Sequence, residues 1–253
     1  MNQIIEVTIN NKIAQVLLNK PEMFNAFDEE MVKTLADCLT SLAVNNTVSA
    51  VIISGKRKAF CAGGNLKKVS DFPGGASKGF YHLAVHLHRS ITEIRKMPKP
   101  VIAAINGAAA GGGFSLALAC DFRIIAKSAV LKQAYTSNGL SIDGGGTFML
   151  PRIVGLARAL EIVAFDKPIF SEQALSLGLV TKIVKDEEVL VQAVNMANEL
   201  MERSLNSFAW SKKLLTDSFD TPFEVQLEKE RMGLSICAGH PDGQEGIKAF
   251  VER

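Results

Sequence analysis

The chain has few aromatic residues with polar groups, few cysteines and little net charge. Its 253 residues include one tryptophan and two tyrosines, and its cysteines, Cys38, Cys61, Cys120 and Cys237, form no C-x-x-C pair. Neither a zinc site nor a disulfide framework is therefore expected. The formal net charge is only +2, and basic and acidic residues are interspersed. Nucleic acid is therefore not expected as a partner.

The sequence also lacks a long apolar run. Its first stretch, "MNQIIEVTINNKIAQVLLNK", interrupts apolar residues with acidic, amide and lysine side chains. That pattern is wrong for a signal peptide and too short for a membrane span. With 47% hydrophobic and 21% charged residues, the chain can bury a large core. We expect a soluble cytoplasmic protein with no membrane contact.

Strand and helix patterns alternate along most of the chain. The runs "SAVIISG", "PVIAAING", "FRIIAK" and "LVTKIV" predict buried strands, and "FSLALAC", "LARALEIVAF" and "SEQALSLG" predict helices. "IIEVTINNKIAQVLL" predicts a β-hairpin turning at Asn10 and Asn11. Asp28 is predicted to cap a helix whose apolar positions begin at Met31. The alternation predicts an α/β fold.

The strand pattern stops after Val184, and helical periodicity continues from Asp186 onward. We therefore predict an α/β core at residues 1–185 and a helical region at residues 186–253. No low-complexity linker separates the two parts. The helices are predicted to pack on the core or on a neighbouring subunit.

Two segments of small residues each follow a predicted strand and precede a predicted helix: "AFCAGGNLKKV", residues 59–69, and "INGAAAGGGFSLALACD", residues 105–121, whose "AAAGGG" is predicted to be a loop. Glycine and alanine leave backbone N–H groups open to a ligand, and a helix start favours negative charge. Together the segments could hold an oxyanion. A glycine run before a helix is also a common packing device, and neither segment has the spacing of a nucleotide P-loop.

Asp143 stands directly before three glycines in "NGLSIDGGGTFMLPRIVG". One interpretation is a turn residue or the N-cap of a short helix, since Asp suits both positions. The other is a catalytic acid in a pocket. The two coexist poorly, because a carboxylate bound to backbone N–H groups has a lowered pKa and is a poorer base.

The motifs "FNAF", "KAFCAGGNLKKV", "INGAAAGGGFSLALACD", "GLSIDGGGTFMLPRIVG" and "SEQALSLGLVTKIV" occur in one order over nearly the whole chain. In this combination the sequence resembles the crotonase family of enoyl-CoA hydratases and isomerases. The resemblance implies a spiral of ββα turns with a helical C-terminal region used for trimer formation. It implies acyl-CoA thioester substrates, with coenzyme A as part of the substrate and no further cofactor, and a homotrimer or a dimer of trimers.

The resemblance also implies site residues. The two N–H donors of the oxyanion hole would be Ala62 and Gly112, and Asp143 would be the general acid/base. Substrate contacts near the first segment would fall on consecutive residues, Ala62, Gly63, Gly64, Asn65 and Leu66. Phe250, in the C-terminal "EGIKAFVER", would approach coenzyme A.

The sequence departs from a hydratase of this family at two positions. Where such a hydratase has two glutamates, this chain has Ser115 and Tyr135. Neither side chain is a base at neutral pH, since an unperturbed tyrosine has a pKa of about 10. Asp143 matches the aspartate of ring-type enoyl-CoA isomerases. Because a double-bond shift needs one base and hydration needs two groups, we expect an isomerase.

Other roles for the same residues stay open. Asp143 could serve an atypical hydratase or hydrolase, or attack an aromatic ring as in dehalogenases of this scaffold, although the few Trp and Tyr residues give no evident aromatic clamp. A non-catalytic acyl-CoA-binding protein is a further alternative. His82 and His86 have a spacing that can bind a metal, but without an H-E-x-x-H motif we expect no metal, and packing or lining of the acyl pocket is favoured.

Overall fold

The computed structural model describes residues 3–252, and its strands form two sheets. The strands of the larger sheet are β1 Ile5–Asn10, β2 Ile13–Leu18, β3 Ala50–Gly55, β5 Val101–Ile105, β7 Phe122–Ala126 and β10 Lys182–Val184. Those of the smaller sheet are β4 Ala59–Cys61, β6 Ala108–Ala110, β8 Val130–Lys132 and β9 Ile169–Phe170.

The larger sheet is parallel from its second strand onward. Its order is β1-β2-β3-β5-β7-β10, and only β1 runs antiparallel to its neighbour. Every residue of β3 and β5 is buried. Strands covered on both faces favour apolar residues at nearly every position, which explains the apolar runs in the sequence. The α/β prediction is confirmed.

The hairpin turn lies one residue later than predicted. Asn10 is the last residue of β1 and pairs with Ile13, so the turn residues are Asn11 and Lys12, both with positive φ. A two-residue turn of this hand matches the twist of the two strands.

The smaller sheet, ordered β4-β6-β8-β9, corrects one prediction. Ala108–Ala110 belongs to "AAAGGG", which was expected to be a loop, but it forms β6 and pairs with β4 and β8. Strands of three residues are too short to give a sequence pattern, and their pairing is decided by the tertiary fold.

The helices alternate with pairs of strands. They are α1 Glu29–Val44, α2 Leu66–Ser70, α3 Gly75–Lys96, α4 Gly112–Ala119, α5 Gly146–Val154, α6 Leu156–Phe165, α7 Ser171–Ser176, α8 Val189–Met201, α9 Leu205–Asp217, α10 Phe223–Gly239 and α11 Pro241–Val251. Three times the chain adds one strand to each sheet and then enters a helix, as in β3-β4-α2, β5-β6-α4 and β7-β8-α5. This is the expected ββα spiral.

Asp28 caps α1 as predicted, and its side chain accepts a 2.9 Å hydrogen bond from the Met31 N–H. The buried carboxylate also forms ion pairs of 2.7 Å with Lys20 and with Lys68. These bonds tie the start of α1 to α2, which follows the first glycine segment. They lower the pKa of Asp28 against the opposing effect of burial, the largest single influence.

The chain from 186 onward is helical, but its first helix is part of the core. Val189, Ala193 and Ala197 of α8 are buried, and α8 packs against the larger sheet. Lys212 of α9 is buried beside Asp121, with 2.7 Å between Nζ and Oδ2. The division at 185/186 stays a prediction. None of the helices in residues 3–252 combines the length and the apolar character that a membrane span requires.

Candidate active site

A cavity of about 330 Å³ lies where the two glycine segments meet α3 and the loop that contains Asp143. It is lined by Phe27, Gly64, Ser77, Phe80, Tyr81, Leu83, Ala84, Leu87, Gly112, Tyr135, Leu140, Ser141, Ile142 and Asp143. Most of these side chains are apolar, and a few polar groups are interspersed among them. That composition is typical of a small-molecule site.

The first glycine segment presents Gly64, and not Ala62, to the cavity. The Ala62 N–H donates a 3.0 Å hydrogen bond to the Phe24 carbonyl. Phe27 pairs with Gly64 in a parallel β-bridge: its N–H donates to the Gly63 carbonyl, and its carbonyl accepts from the Asn65 N–H. In this pairing the N–H of Gly64 points away from Phe27. The structure therefore favours Gly64 over Ala62 as the first donor, since a donor that is already bonded cannot serve a ligand.

Gly63 holds the two segments together. It has a φ of +89°, and a methyl group at this position would stand 2.8 Å from the Ala110 carbonyl oxygen and 3.2 Å from the Gly112 nitrogen. Only glycine fits this conformation and this approach. Gly64 and Gly112 are brought to one cavity because the backbones of their segments are in contact.

Gly112 is the first residue of α4, and the helix is buried along its whole length. The N–H groups of a first helical turn have no acceptor within the helix, and the helix dipole favours negative charge there. A methyl group on Gly113 would overlap the Cys61 carbonyl oxygen, so α4 can approach the first segment only with glycine at this position. Gly112 lines the cavity, and its role as the second donor stays a prediction.

Asp143 lies in the loop before α5 and lines the cavity with a side chain that is 36% exposed. It is not the N-cap of α5: that position is Gly145, and no side chain caps the helix. The Asp143 backbone carbonyl accepts the Gly146 N–H, while the carboxylate makes no capping bond. The carboxylate is therefore available for chemistry, and the N-cap interpretation of Asp143 is wrong.

His88 is a polar neighbour of Asp143 that the sequence did not point to. Its Nε2 lies 2.5 Å from Oδ1 of Asp143, and it comes from α3, 55 residues earlier in the chain. The available signal was the run of three histidines in "YHLAVHLHRS", which we interpreted through the spacing of the other two. No local pattern connects a helix residue to a loop carboxylate at this separation.

Ser115 and Tyr135 are polar neighbours of Asp143. The Ser115 hydroxyl donates a 2.6 Å hydrogen bond to the Asp143 carbonyl. Burial raises the pKa of Tyr135 to about 12, against the opposing influence of the nearby Ser115 and Asp143 backbone. Tyr135 is therefore a neutral hydroxyl at physiological pH, and Ser115 is the residue whose hydrogen bond holds the Asp143 loop.

Several predicted contacts lie outside the cavity. Asn65 caps α2 by accepting a 3.1 Å bond from the Lys68 N–H, and Leu66 is half exposed beside it. Phe250, on α11, is 79% exposed and does not line the cavity formed by residues 3–252. Contacts of these residues with a coenzyme A moiety stay predictions.

The histidines at the predicted metal spacing do not converge on a ligand set. The His82 ring packs on Phe72 with 5.0 Å between centroids, and no group of three or more candidate metal ligands occurs in the described residues. His82 lines a separate cavity beside Asp28 and Lys68.

The cavity has more aromatic lining residues than the count of Trp and Tyr in the sequence suggests. We expected no evident aromatic clamp because the chain has few Trp and Tyr residues. Phe27, Phe80, Tyr81 and Tyr135 nevertheless line the cavity together. They come from distant segments, so their convergence depends on the fold and not on local composition.

The ββα spiral with two glycine segments at one cavity defines the crotonase class of fold. A crystal structure of an enoyl-CoA hydratase from Polaromonas superposes with a TM-score of 0.92 at 37% sequence identity, over 98% of this chain and 96% of that one.

The family follows from the sequence comparison. The model of the enoyl-CoA hydratase/isomerase family matches residues 8–253. The chain is 31% identical to a 1,2-epoxyphenylacetyl-CoA isomerase of Escherichia coli, over 100% of this chain and 97% of the relative. It is 34% identical to a probable enoyl-CoA hydratase of Bacillus subtilis, over 98% of this chain and 96% of that relative. The chain belongs to the enoyl-CoA hydratase/isomerase family and is an enzyme of that family.

Proposed function

We propose that this enzyme moves a double bond within an acyl-CoA thioester through an enolate intermediate. The observation that carries the proposal is the position of Asp143: it is the one carboxylate among the described lining residues of the cavity that also contains Gly64 and Gly112. A base and two backbone donors in one apolar cavity suit proton removal next to a carbonyl.

The residues divide the reaction as follows. Asp143 takes a proton from the carbon next to the thioester or from a conjugated carbon, and the electron pair moves to the thioester oxygen. The N–H groups of Gly64 and Gly112 hydrogen-bond to that oxygen as its charge develops. Asp143 then returns a proton to a different carbon, and the double bond has shifted. One donor of this kind contributes about 3–4 kcal/mol of barrier lowering in other enzymes.

The presence of Ser115 and Tyr135 favours isomerisation over a hydration mechanism that uses two carboxylates. Ser115 is 1% exposed and bonded to the Asp143 carbonyl, and Tyr135 is held neutral by burial. Neither activates water as a base at neutral pH. The relative named as an epoxyphenylacetyl-CoA isomerase and the four aromatic residues in the cavity favour a substrate with a ring in its acyl group.

An atypical hydratase or hydrolase is the second candidate, and one observation favours it. His88 lies 2.5 Å from Asp143, so the site holds a second group that can carry a proton. Addition of water divides naturally between two such groups. Relatives named as hydratases match this chain as well as the isomerase does.

The test is a deuterium-uptake screen with a panel of CoA thioesters that includes 3-hexenoyl-CoA and phenylacetyl-CoA. The enzyme is incubated in D2O, and the mass and double-bond position of each thioester are followed. Isomerisation gives a product of equal heavy-atom mass with deuterium at carbon, whereas hydration adds one water.

Asp143→Asn is the critical variant, and Glu199→Gln on the exposed face of α8 is the matched control. We expect Asp143→Asn to bind the thioesters with unchanged affinity and to lose exchange, and the control to retain both. A wild-type enzyme that binds the thioesters but exchanges no proton with any of them would support a non-catalytic acyl-CoA-binding protein instead.

We further propose that the enzyme assembles as a homotrimer or a dimer of trimers through its C-terminal helices. The helices α10 and α11 expose large apolar side chains, including Phe223, Met232, Leu234, Phe250 and Val251. Apolar surface of this extent is typical of a subunit interface. Light scattering after size-exclusion chromatography would give three or six times the 27.3 kDa chain mass; a monomer would contradict the proposal.

A further inference from the structure

His88 lies against the catalytic carboxylate without lining the cavity. Its Nε2 is 2.5 Å from Asp143 Oδ1, yet the α3 residues described as lining the cavity end at Leu87. More than half of the His88 side chain, 54%, is exposed. The Asp143 carboxylate therefore stands between the substrate cavity and an imidazole that is accessible to water.

The stability of the fold does not explain this pair. Ion pairs between partly exposed side chains contribute only about 0–1 kcal/mol. α3 is already held by buried apolar residues, including Leu83, Leu87, Ile91 and Ile94. The Asp143 loop is held by Ser115, whose hydroxyl bonds to the Asp143 carbonyl. The contact joins two elements that are fixed by other means.

Imidazole differs from the other groups at Asp143 because it can take up a proton at one nitrogen and release one at the other. Ser115 contacts the backbone of Asp143 and not its carboxylate. Among the residues described, His88 is the side chain that bonds to the carboxylate itself.

We propose that His88 relays protons between Asp143 and solvent, so that the proton taken from the substrate is exchanged with water before one is returned. The inference rests on the proposed function, in which Asp143 is the base. When Asp143 carries the substrate's proton, its O–H bond breaks, an N–H bond forms at Nε2, and the proton on Nδ1 leaves to water. A carboxylate and a neutral imidazole remain. The reverse passage delivers a solvent proton to Asp143.

The relay makes a prediction that a purely structural role does not. Without a relay, a proton on Asp143 that the bound substrate shields from water is returned to the same acyl chain. The fraction of deuterium that is transferred from one carbon to another within the same acyl chain is therefore low with a relay and high without one. Orientation of Asp143 by His88 would affect the turnover rate and not this fraction.

The test uses 3-hexenoyl-CoA and phenylacetyl-CoA thioesters labelled with deuterium next to the carbonyl, in ordinary water. Mass spectrometry measures the deuterium retained in the isomerised product of 3-hexenoyl-CoA. For phenylacetyl-CoA, which has no double bond outside its ring to shift, it measures washout from the thioester. His88→Gln preserves a hydrogen-bond donor to the carboxylate but cannot carry a proton. His86→Gln, on the same helix and without contact to Asp143, is the matched control.

We expect the wild type and His86→Gln to wash out the label. In His88→Gln, washout should slow by about 10²-fold, the lower range of general acid–base effects, and deuterium retained in product should rise several-fold. Equal label retention in His88→Gln and wild type would overturn the relay. This holds even if His88→Gln and a second variant, His88→Ala, turn over slowly, because slow turnover alone would indicate that His88 only orients Asp143.

Failure of the proposed function is distinguishable from failure of the relay. An Asp143→Asn variant that still exchanges the label, or a wild type inactive on every thioester tried, would remove Asp143 as the base and the relay with it. Loss of exchange in Asp143→Asn together with unchanged label retention in His88→Gln would overturn the relay alone.

Discussion

The Ser115 hydroxyl donates a 2.6 Å hydrogen bond to the backbone carbonyl of Asp143, which joins the buried helix α4 to the loop that carries the proposed base. Ser115 is buried, and α4 also provides Gly112. The bond thus fixes the carboxylate relative to one of the two proposed oxyanion donors.

Replacement of Ser115 by alanine should lower kcat with little change in KM. Loss of one hydrogen bond of about 1 kcal/mol corresponds to roughly fivefold in rate if the bond positions Asp143 in the transition state. Steady-state kinetics of the proton shift measures the effect. Ser176→Ala, which removes a comparable hydrogen bond at an exposed position of α7, serves as control. A Ser115→Ala enzyme as fast as wild type would contradict the positioning role.

Replacement of Gly64 by proline should lower kcat by about 10²–10³-fold, because proline removes the N–H proposed to bind the oxyanion. Gly64→Ala keeps the N–H, and its methyl group would make only ordinary contacts of 3.6 Å with Leu83 and 3.7 Å with Phe80. It should fold normally and retain activity, and circular dichroism checks both variants.

Ala62→Pro should act on stability instead. It removes the N–H that bonds to the Phe24 carbonyl, so we expect a lower thermal midpoint. A stable Ala62→Pro enzyme that had lost only its activity would restore Ala62 as the oxyanion donor.

Tyr135→Phe should slow turnover by roughly fivefold, since it removes a buried polar group that lies beside Ser115 and Asp143 at the cavity. Because the Tyr135 pKa is raised to about 12, its ionisation contributes no step to the pH profile in the neutral range. The measurement is kcat of both enzymes from pH 6 to 9. Parallel profiles are expected, and an alkaline limb that disappears in the variant would show that Tyr135 ionises.

Asp28 should make stability depend on acid pH. Its folded-state pKa is lowered, so its ion pairs with Lys20 and Lys68 stabilise the protein fully above the unfolded value of about 3.9 and are lost as pH falls through the lower folded value. Asp28→Asn should lower the free energy of unfolding by about 3 kcal/mol at pH 7 and by progressively less below pH 4. Urea unfolding across this range measures it; a cost independent of pH would show that the charge is not responsible.

Lys212→Ala should destabilise the protein by about 3–5 kcal/mol, because it leaves the Asp121 carboxylate buried without its partner. Lys212 also donates 2.8 and 3.2 Å bonds to the carbonyls of Ile94 and Lys99. Its neighbour Lys213 makes an exposed pair with Asp217, so Lys213→Ala should cost less than about 1 kcal/mol. Equal urea midpoints for the two variants would contradict this prediction.

The residue sequence by itself determined the features that depend on local pattern. Continuous apolar runs such as "VIAAI" predicted the buried parallel strands, and Asp28 before helical spacing predicted the cap of α1, because burial on both faces and helix capping each leave a local signature. The order of five motifs predicted the family, and Gly112 and Asp143 lie at the cavity as expected.

The tertiary structure decided which groups are available and which meet. The sequence of the first glycine segment does not distinguish the N–H groups of Ala62 and Gly64. The fold does, because the Ala62 N–H is bonded to the Phe24 carbonyl and Gly64 lines the cavity. His88 and Asp143 belong to different elements, 55 residues apart, so their contact depends on how α3 packs over the spiral. Asp143 is the only acid among the three positions compared in the sequence, but the fold gives it an imidazole partner, because packing and not spacing decides long-range contacts.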